Sequence, residues 1–292
     1  MIINVIGGGT WGSTLAYLFS KKDLEVNLFL RDKDKAKSLN KTKKHPNLID
    51  FKLPDNITIS SNLSFIDNNH LNIIAVPTKG INNVLNQVDT KKGKYLIASK
   101  GFELKSGLLP YEVLSKVFKI DEDRIAILSG PNHAEEIIRN KATATVVGSK
   151  NEDLANELQK LLSNNRFRVY TSKDILGIQL GAAVKNVVAI ASGICVGLNM
   201  GDNTQAALVS RGMNEIVRLG QIYKINTQTL YGLSGLGDLI CTCYSKHSRN
   251  REMGILISSG LSYFDAEKKL RMVAEGIHTS KVINDISKKH NI

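Results

Sequence analysis

Short apolar runs alternate with longer amphipathic stretches through the first half of the chain. The runs Ile2–Ile6, Val26–Leu30, Leu71–Val76, Tyr95–Ser99, Arg124–Leu128, Ala144–Val147 and Arg168–Tyr170 read as strands. Between them, apolar residues recur at helical spacing over Thr10–Ser20, Lys33–Leu39, Ile81–Val88, Leu109–Val117 and Asn151–Leu162. Strands alternating with helices imply an α/β unit whose mostly parallel sheet is covered on both faces. A near-continuous apolar run such as Ile2–Ile6 suits an inner strand of such a sheet.

After Ser172 the strand pattern stops. Helical periodicity continues over Ile175–Val196, Thr204–Tyr223, Asn250–Ser258, Asp265–Met272 and His278–Lys288, so an all-α C-terminal domain follows. The boundary is placed between residues 174 and 175, giving domains 1–174 and 175–292. No low-complexity linker and no internal repeat marks it. The stretch between Asp174 and Asp202 carries Lys185 as its only charge, which raises the question of a membrane span. Gln179, Lys185, Asn186 and several glycines interrupt it, and a central Lys costs roughly 3 kcal/mol on insertion. A buried helix of a soluble protein is the better reading.

Composition refines this picture. At 292 residues, 42% hydrophobic and 23% charged, the chain is an ordinary globular one. Its net charge of +12 admits nucleic acid, anionic small molecules or simply a lysine-rich surface. The densest basic run, Lys33 to Lys44, has no interleaved aromatic and no nucleic-acid motif, so nucleic acid is set aside. Cys195, Cys241 and Cys243 are too few and odd in number for a disulfide framework, and Cys241-x-Cys243 lacks the second ligand pair of a zinc site. No metal is expected. The N-terminus lacks a basic region and its apolar run is too short for a signal peptide, so a cytoplasmic location is expected.

The first chemical signal is Gly7-Gly8-Gly9-Thr10-Trp11-Gly12, directly after a strand and opening a helix. Gly7 permits the tight turn, Gly9 the approach of a pyrophosphate, and Gly12 close helix–strand packing. The helix N-terminus offers free N–H groups to the phosphates. This makes residues 1–174 a Rossmann-like dinucleotide-binding domain. Arg31 follows the second strand, where an arginine accommodates the extra phosphate of NADP(H); the adjacent Asp32 keeps NAD(H) usable. The bland alternative for Arg31 is a surface charge.

Lys185 lies in a helix rich in Ala, Gly and Val. Burial lowers a lysine pKa and suits it to proton exchange near neutrality; a snorkelling structural lysine is the alternative. Asn186 beside it can orient a substrate hydroxyl or cap a neighbouring element. Ser99-Lys100-Gly101 and Ser129-Gly130-Pro131-Asn132-His133-Ala134 each follow a strand, where open parallel sheets bind ligands, although either can be an ordinary turn. Ser248-Arg249-Asn250 before a helix suits a phosphate, or is a helix cap with a surface arginine. Asp238, in Gly235-Leu236-Gly237-Asp238-Leu239, is a candidate partner that sets the protonation of Lys185.

Together with Val184-Lys185-Asn186-Val187, Thr242-Cys243, the continuation Glu135-Glu136, and Glu275-Gly276, these segments resemble, in order, bacterial NAD(P)-dependent glycerol-3-phosphate dehydrogenase. The resemblance covers nearly the whole chain. It implies interconversion of dihydroxyacetone phosphate and sn-glycerol 3-phosphate for phospholipid synthesis, in a homodimer with neither nucleic-acid nor membrane partners. By resemblance, Lys185 and Asp238 are catalytic, Lys185 being the acid/base. Lys100, Gly130, Asn132, Ser248, Arg249 and Asn250 contact the phosphate-ester substrate, as do Lys185 and Asp238. Gly7, Gly9, Thr10, Trp11, Gly12, Arg31, Lys100, Ala134, Arg249, Val273 and Glu275 contact the cofactor.

The sequence departs from the family where Asn132 replaces a frequent serine and Ala274 a frequent β-branched residue. The family usually continues past Ile292 with more helix, so the second domain is read as C-terminally shortened. Dehydrogenases of the 6-phosphogluconate or 3-hydroxyisobutyrate type share a Lys-Asn pair, but Ser248-Arg249-Asn250 favours the glycerol-phosphate reading. A dinucleotide sensor has no need of Lys185 and Asp238.

Overall fold

Eight strands form one sheet: β1 (Ile2–Ile6), β2 (Glu25–Phe29), β3 (Ile57–Ser60), β4 (Leu71–Ile74), β5 (Lys94–Ile97), β6 (Ile125–Ser129), β7 (Thr143–Ser149) and β8 (Phe167–Ser172). Their spatial order is β3-β2-β1-β4-β5-β6-β7-β8. The pairs β2–β3, β1–β2, β1–β4, β4–β5, β5–β6 and β7–β8 run parallel. The first six strands thus take the 3-2-1-4-5-6 order of a doubly wound dinucleotide-binding sheet, whose strand order reverses between β1 and β4. The helices of this half are α1 (Thr10–Ser20), α2 (Lys33–Thr42), α3 (Ile81–Leu85), α4 (Pro110–Glu112, continued by a wider turn over Val113–Val117), α5 (Ala134–Ile138) and α6 (Glu152–Leu162).

This computed structural model describes residues 1–65, 70–270 and 274–291. The chain divides into a unit of residues 1–99, 110–128 and 132–173, and a second of residues 100–109, 129–131 and 174–292. In the first unit Leu15, Ala16 and Phe19 of α1 join Ile3, Val5, Leu28 and Ile73 of the sheet in one core. β1 is not wholly apolar. Asn4 stands opposite Asn27 and Asn72 in the parallel register. Asn27 donates to Asn4 (3.0 Å) and Asn4 donates to Asn72 (3.0 Å), so a polar ladder crosses three neighbouring strands. A one-residue slip would break both bonds and turn every side chain to the other face.

The second unit is helical: α7 (Ile175–Gly197), α8 (Asp202–Ile222), α9 (Thr227–Tyr231), α10 (Asp238–Tyr244), α11 (Arg249–Ser258), α12 (Tyr263–Leu270) and α13 (Glu275–His290). Asp174 caps α7 by accepting from the Gly177 N–H (3.0 Å), and its other oxygen accepts from the Asn226 N–H (3.1 Å). Leu180, Ala183 and Val184 of α7 share a core with Met213 and Ile216 of α8 and Leu239 of α10. A Cβ on Gly193 would run into the Arg251 carbonyl, and one on Gly254 into that of Ile190, so α7 and α11 approach as closely as glycine allows. Among the described residues α7 is the one helix long and apolar enough to cross a membrane, but 67% of its apolar window is buried within the protein.

Several elements differ from the sequence pattern. β3 was not anticipated: its four residues show only two inward positions, too few to establish a period of two. The sequence pattern likewise shows no helical period at α5, α9 and α10; α5 and α9 are five residues long and α10 seven. The expected helix Asp265–Met272 is observed as Tyr263–Leu270, and Met272 lies outside the described residues.

Candidate active site

The glycine turn occupies the end of β1, at the reversal of strand order. The Gly7 N–H donates to the Phe29 carbonyl (3.1 Å), and φ at Gly7 is +121°. A Cβ there would lie 2.6 Å from the Ala75 carbonyl carbon and oxygen, beside β4. A Cβ on Gly12 would strike the Gly7 carbonyl oxygen, whereas one on Gly9 would meet nothing within 4 Å. The side of Gly9 is therefore open while the rest of the turn is tight. Gly9 caps α1 without a side-chain bond, and the first turn of α1 carries no acidic residue. Free N–H groups and an open backbone fit a dinucleotide pyrophosphate. Trp11, in that first turn, keeps its indole N–H buried without a partner.

Arg31 is exposed beyond β2. Asp32, the alternative reader of the ribose, is the cap of α2: one oxygen accepts from the N–H groups of Asp34 (3.1 Å) and Lys35 (3.0 Å), the other pairs with Lys35 at 3.5 Å. Backbone bonding at Lys35 leads the causes that hold its carboxyl below the ordinary value.

In the second unit the ionisable groups converge on α7 and α10. Lys185 is 5% exposed, and its ammonium donates to Asp238 Oδ1 (2.5 Å) and Thr242 Oγ1 (2.7 Å). Thr242 donates in turn to the Asp238 carbonyl (2.6 Å), one helical turn back, which leaves its lone pair for Lys185. Lys100 donates to Asp238 Oδ2 (2.9 Å) and to the Gly130 carbonyl (3.1 Å). Asp238 therefore holds one lysine on each oxygen. Burial pushes the Lys185 pKa down to about 8, with the Lys100 charge adding to the fall and Asp238 opposing it. Burial raises the Asp238 carboxyl, but the two lysines outweigh it and hold the group below its ordinary value. An ammonium has three N–H groups. Two of those on Lys185 have protein partners, and the third has none among the described residues.

Behind this cluster, Gln205 of α8 donates to Ser192 Oγ (2.8 Å) and to the Cys243 carbonyl (3.2 Å), and Ser192 donates to the same carbonyl (3.0 Å). These bonds fix the end of α10 on α7. Burial pushes the Cys243 thiol up to about 12, so it is not a nucleophile near neutrality.

The residues expected to face the phosphate take different structural parts. Ser248 caps α11 by accepting from the Arg251 N–H (3.2 Å). Asn250 is buried; it donates to Asn186 (3.0 Å) and accepts from the Gly276 N–H (2.9 Å), tying α11 to α7 and α13. Arg249 is exposed at the first position of α11, with neither hydrogen bond nor ion pair among the described residues. Asn132 is half-buried in the loop before α5, Ala134 is the buried first residue of α5, and Glu275 opens α13. Val273 lies outside the described residues.

The sequence pattern assigns no role to Thr242 or Gln205. Thr242 had a readable signal, the i, i+4 spacing to Asp238 on one helix face. It was hidden because Gly235-Leu236-Gly237 looks like a loop, whereas Leu233–Gly237 is a wide helical turn running into α10.

Residues 2–155 match the family model of the NAD-dependent glycerol-3-phosphate dehydrogenase N-terminus, and residues 174–292 that of its C-terminus. The chain is 42% identical to glycerol-3-phosphate dehydrogenase [NAD(P)+] of Fusobacterium nucleatum, over 99% of this chain and 88% of the relative. It is 40% identical to that of Syntrophomonas wolfei, over 98% and 85%. The crystal structure of glycerol-3-phosphate dehydrogenase from Coxiella burnetii superposes with a TM-score of 0.92 at 30% identity, covering 100% of this chain and 90% of that one. With both halves matched and the relatives covered almost throughout, the chain belongs to the NAD-dependent glycerol-3-phosphate dehydrogenase family.

Proposed function

We propose that this chain reversibly reduces dihydroxyacetone phosphate to sn-glycerol 3-phosphate with NADPH or NADH, supplying glycerophospholipid synthesis. The observation that carries this reading is the buried Lys185 ammonium, fixed by Asp238 and Thr242 with one N–H left over. When bound, the reduced nicotinamide supplies the hydride that the chain's own residues cannot. Lys185 gives its remaining proton to the C2 oxygen as negative charge develops there. Asp238 stays ionised between its two lysines and steadies the ammonium before transfer. Lys100 holds Asp238 from the other side and, with Gly130 and Asn132, contacts the substrate.

Arg249 and the unbonded N–H groups that open α11 hold the phosphate, which orients the carbonyl from a distance. Ser248 and Asn250 act at this end by setting the helix start and its tie to Asn186. Gly7, Gly9, Thr10, Trp11 and Gly12 receive the pyrophosphate, and Ala134, Val273 and Glu275 complete the cofactor contacts with Lys100 and Arg249. Arg31 favours NADP(H), because Asp32 is engaged as a cap. Residues 1–174 supply the pyrophosphate turn and residues 175–292 the proton donor and phosphate site, in a cytoplasmic homodimer.

The experiment follows near-ultraviolet absorbance in two arms: NADPH and NADH oxidation with dihydroxyacetone phosphate, and NADP+ and NAD+ reduction with 3-hydroxy acids. Turnover of dihydroxyacetone phosphate alone, faster with NADPH, is expected. Turnover only with a hydroxy acid overturns the assignment.

A further inference from the structure

One buried titratable residue near the glycine turn has no part in the chemistry above. His45 follows α2 in a segment pinned by an antiparallel bridge between Lys44 and Lys52, and by the Leu48 N–H bonded to the His45 carbonyl (3.1 Å). His45 is 7% exposed. Its Nδ1 accepts from the Asn47 N–H (3.2 Å), which leaves the ring hydrogen of the neutral form on Nε2. Nε2 lies 3.3 Å from the Gly8 carbonyl oxygen and so donates to it. Burial holds the ring below its ordinary pKa against the opposing Gly8 bond and Glu135, which keeps it neutral near pH 7.

The consequence follows from the planarity of the peptide bond. In a trans peptide the C=O and N–H point in opposite directions. Fixing the Gly8 carbonyl on His45 therefore turns the Gly9 N–H the other way, away from His45. Between two glycines this peptide is otherwise free to flip, since neither residue resists unusual φ and ψ. A flip would turn a carbonyl oxygen to where the N–H had pointed, and an oxygen repels a phosphate that the N–H would bind.

We propose that His45 is a positioning residue for the cofactor, locking the Gly8–Gly9 peptide so that the Gly9 N–H faces the pyrophosphate. This rests on the reading of the turn as a dinucleotide site. His45 touches neither substrate nor reacting atoms; it acts through the backbone.

The test compares His45→Gln, which keeps a side-chain N–H donor, with His45→Met, which fills similar space without one. NADPH binding is titrated by the emission of Trp11, the single tryptophan of the chain. The Met variant should bind NADPH about tenfold more weakly, the loss of a charge-assisted bond, and the Gln variant within about threefold of wild type. In turnover, KM for NADPH should rise in the Met variant while kcat and KM for dihydroxyacetone phosphate hold. Inhibition by 2′-AMP, which has no pyrophosphate, should be unchanged. Equal affinities for all three proteins, or a Gln variant as weak as Met, overturn the role of His45 alone. A wild-type protein that does not bind NADPH overturns the cofactor reading itself, and this role with it. Nitrogen-15 spectra of the wild-type histidines, with His45 assigned by its absence in the Gln variant, test the premise without a destabilised protein. The Nε2-protonated ring supports the lock, and the Nδ1-protonated ring contradicts it.

Discussion

At the scale of single residues, the site depends on how burial and neighbouring charge divide protons. With its pKa at about 8, Lys185 is protonated below that pH and neutral above it, and in the proposed mechanism this is the proton that reduction needs. The kcat for reduction should fall as pH rises through about 8, and that for the reverse oxidation should rise over the same range. Asp238→Asn removes a charge that raises the Lys185 pKa and leaves Lys100 to lower it further, so both limbs should move to lower pH. A pH–rate profile with unmoved limbs would show that the titrating group is elsewhere. Thr242→Val removes the acceptor that orients the ammonium, and kcat should drop more than KM changes. At the cofactor end, Arg31→Asp should lower the ratio of kcat/KM for NADPH over NADH; an unchanged ratio means that Arg31 does not read the extra phosphate.

At the scale of elements, the chain's legibility depended on how much of each element's cause is local. β1, the glycine turn and α1 could be read because an apolar run, three spaced glycines and a helical period lie within twenty residues. α7 could be read as a buried helix from its single charge. The edge strand β3 could not, since four residues carry too little pattern. α10 could not because two glycines precede it. A Cβ on Gly235 would strike the Leu230 carbonyl five residues back, and one on Gly181 of α7 would lie 3.0 Å from the Gly235 Cα, so bare backbone packs here on both sides. The Lys185 constellation was half legible. The lysine was conspicuous in an apolar helix, but its bond to Thr242 and the anchoring by Gln205 exist only once α10 is folded onto α7.

The same reasoning gives stability predictions. Asn4→Leu strands the buried oxygen of Asn72, worth roughly 1–3 kcal/mol, and removes the acceptor of the half-buried Asn27 amide. Thermal unfolding should show a marked fall in Tm. A Tm equal to wild type would mean that the ladder contributes no net stability. Gly254→Ala puts a methyl against the Ile190 carbonyl, and should lower Tm and, through the displacement of α11, raise KM for dihydroxyacetone phosphate.

At the scale of the whole molecule, the net charge of +12 is a field rather than a contact. It favours the approach of anionic cofactor and substrate, and salt screens it beyond about 8 Å at physiological ionic strength. The kcat/KM for NADPH should therefore fall with added salt while kcat at saturation changes little. The division of labour between the two units is the larger claim: the glycine turn receives a dinucleotide, and the Lys185–Asp238 cluster performs proton transfer. Its most direct test is Lys185→Ala measured in both capacities on one protein sample. NADPH affinity, read from Trp11 emission, should stay within a few-fold of wild type, while reduction of dihydroxyacetone phosphate falls by at least ~10²-fold, the usual worth of a positioned acid. Turnover near the wild-type rate would contradict the account.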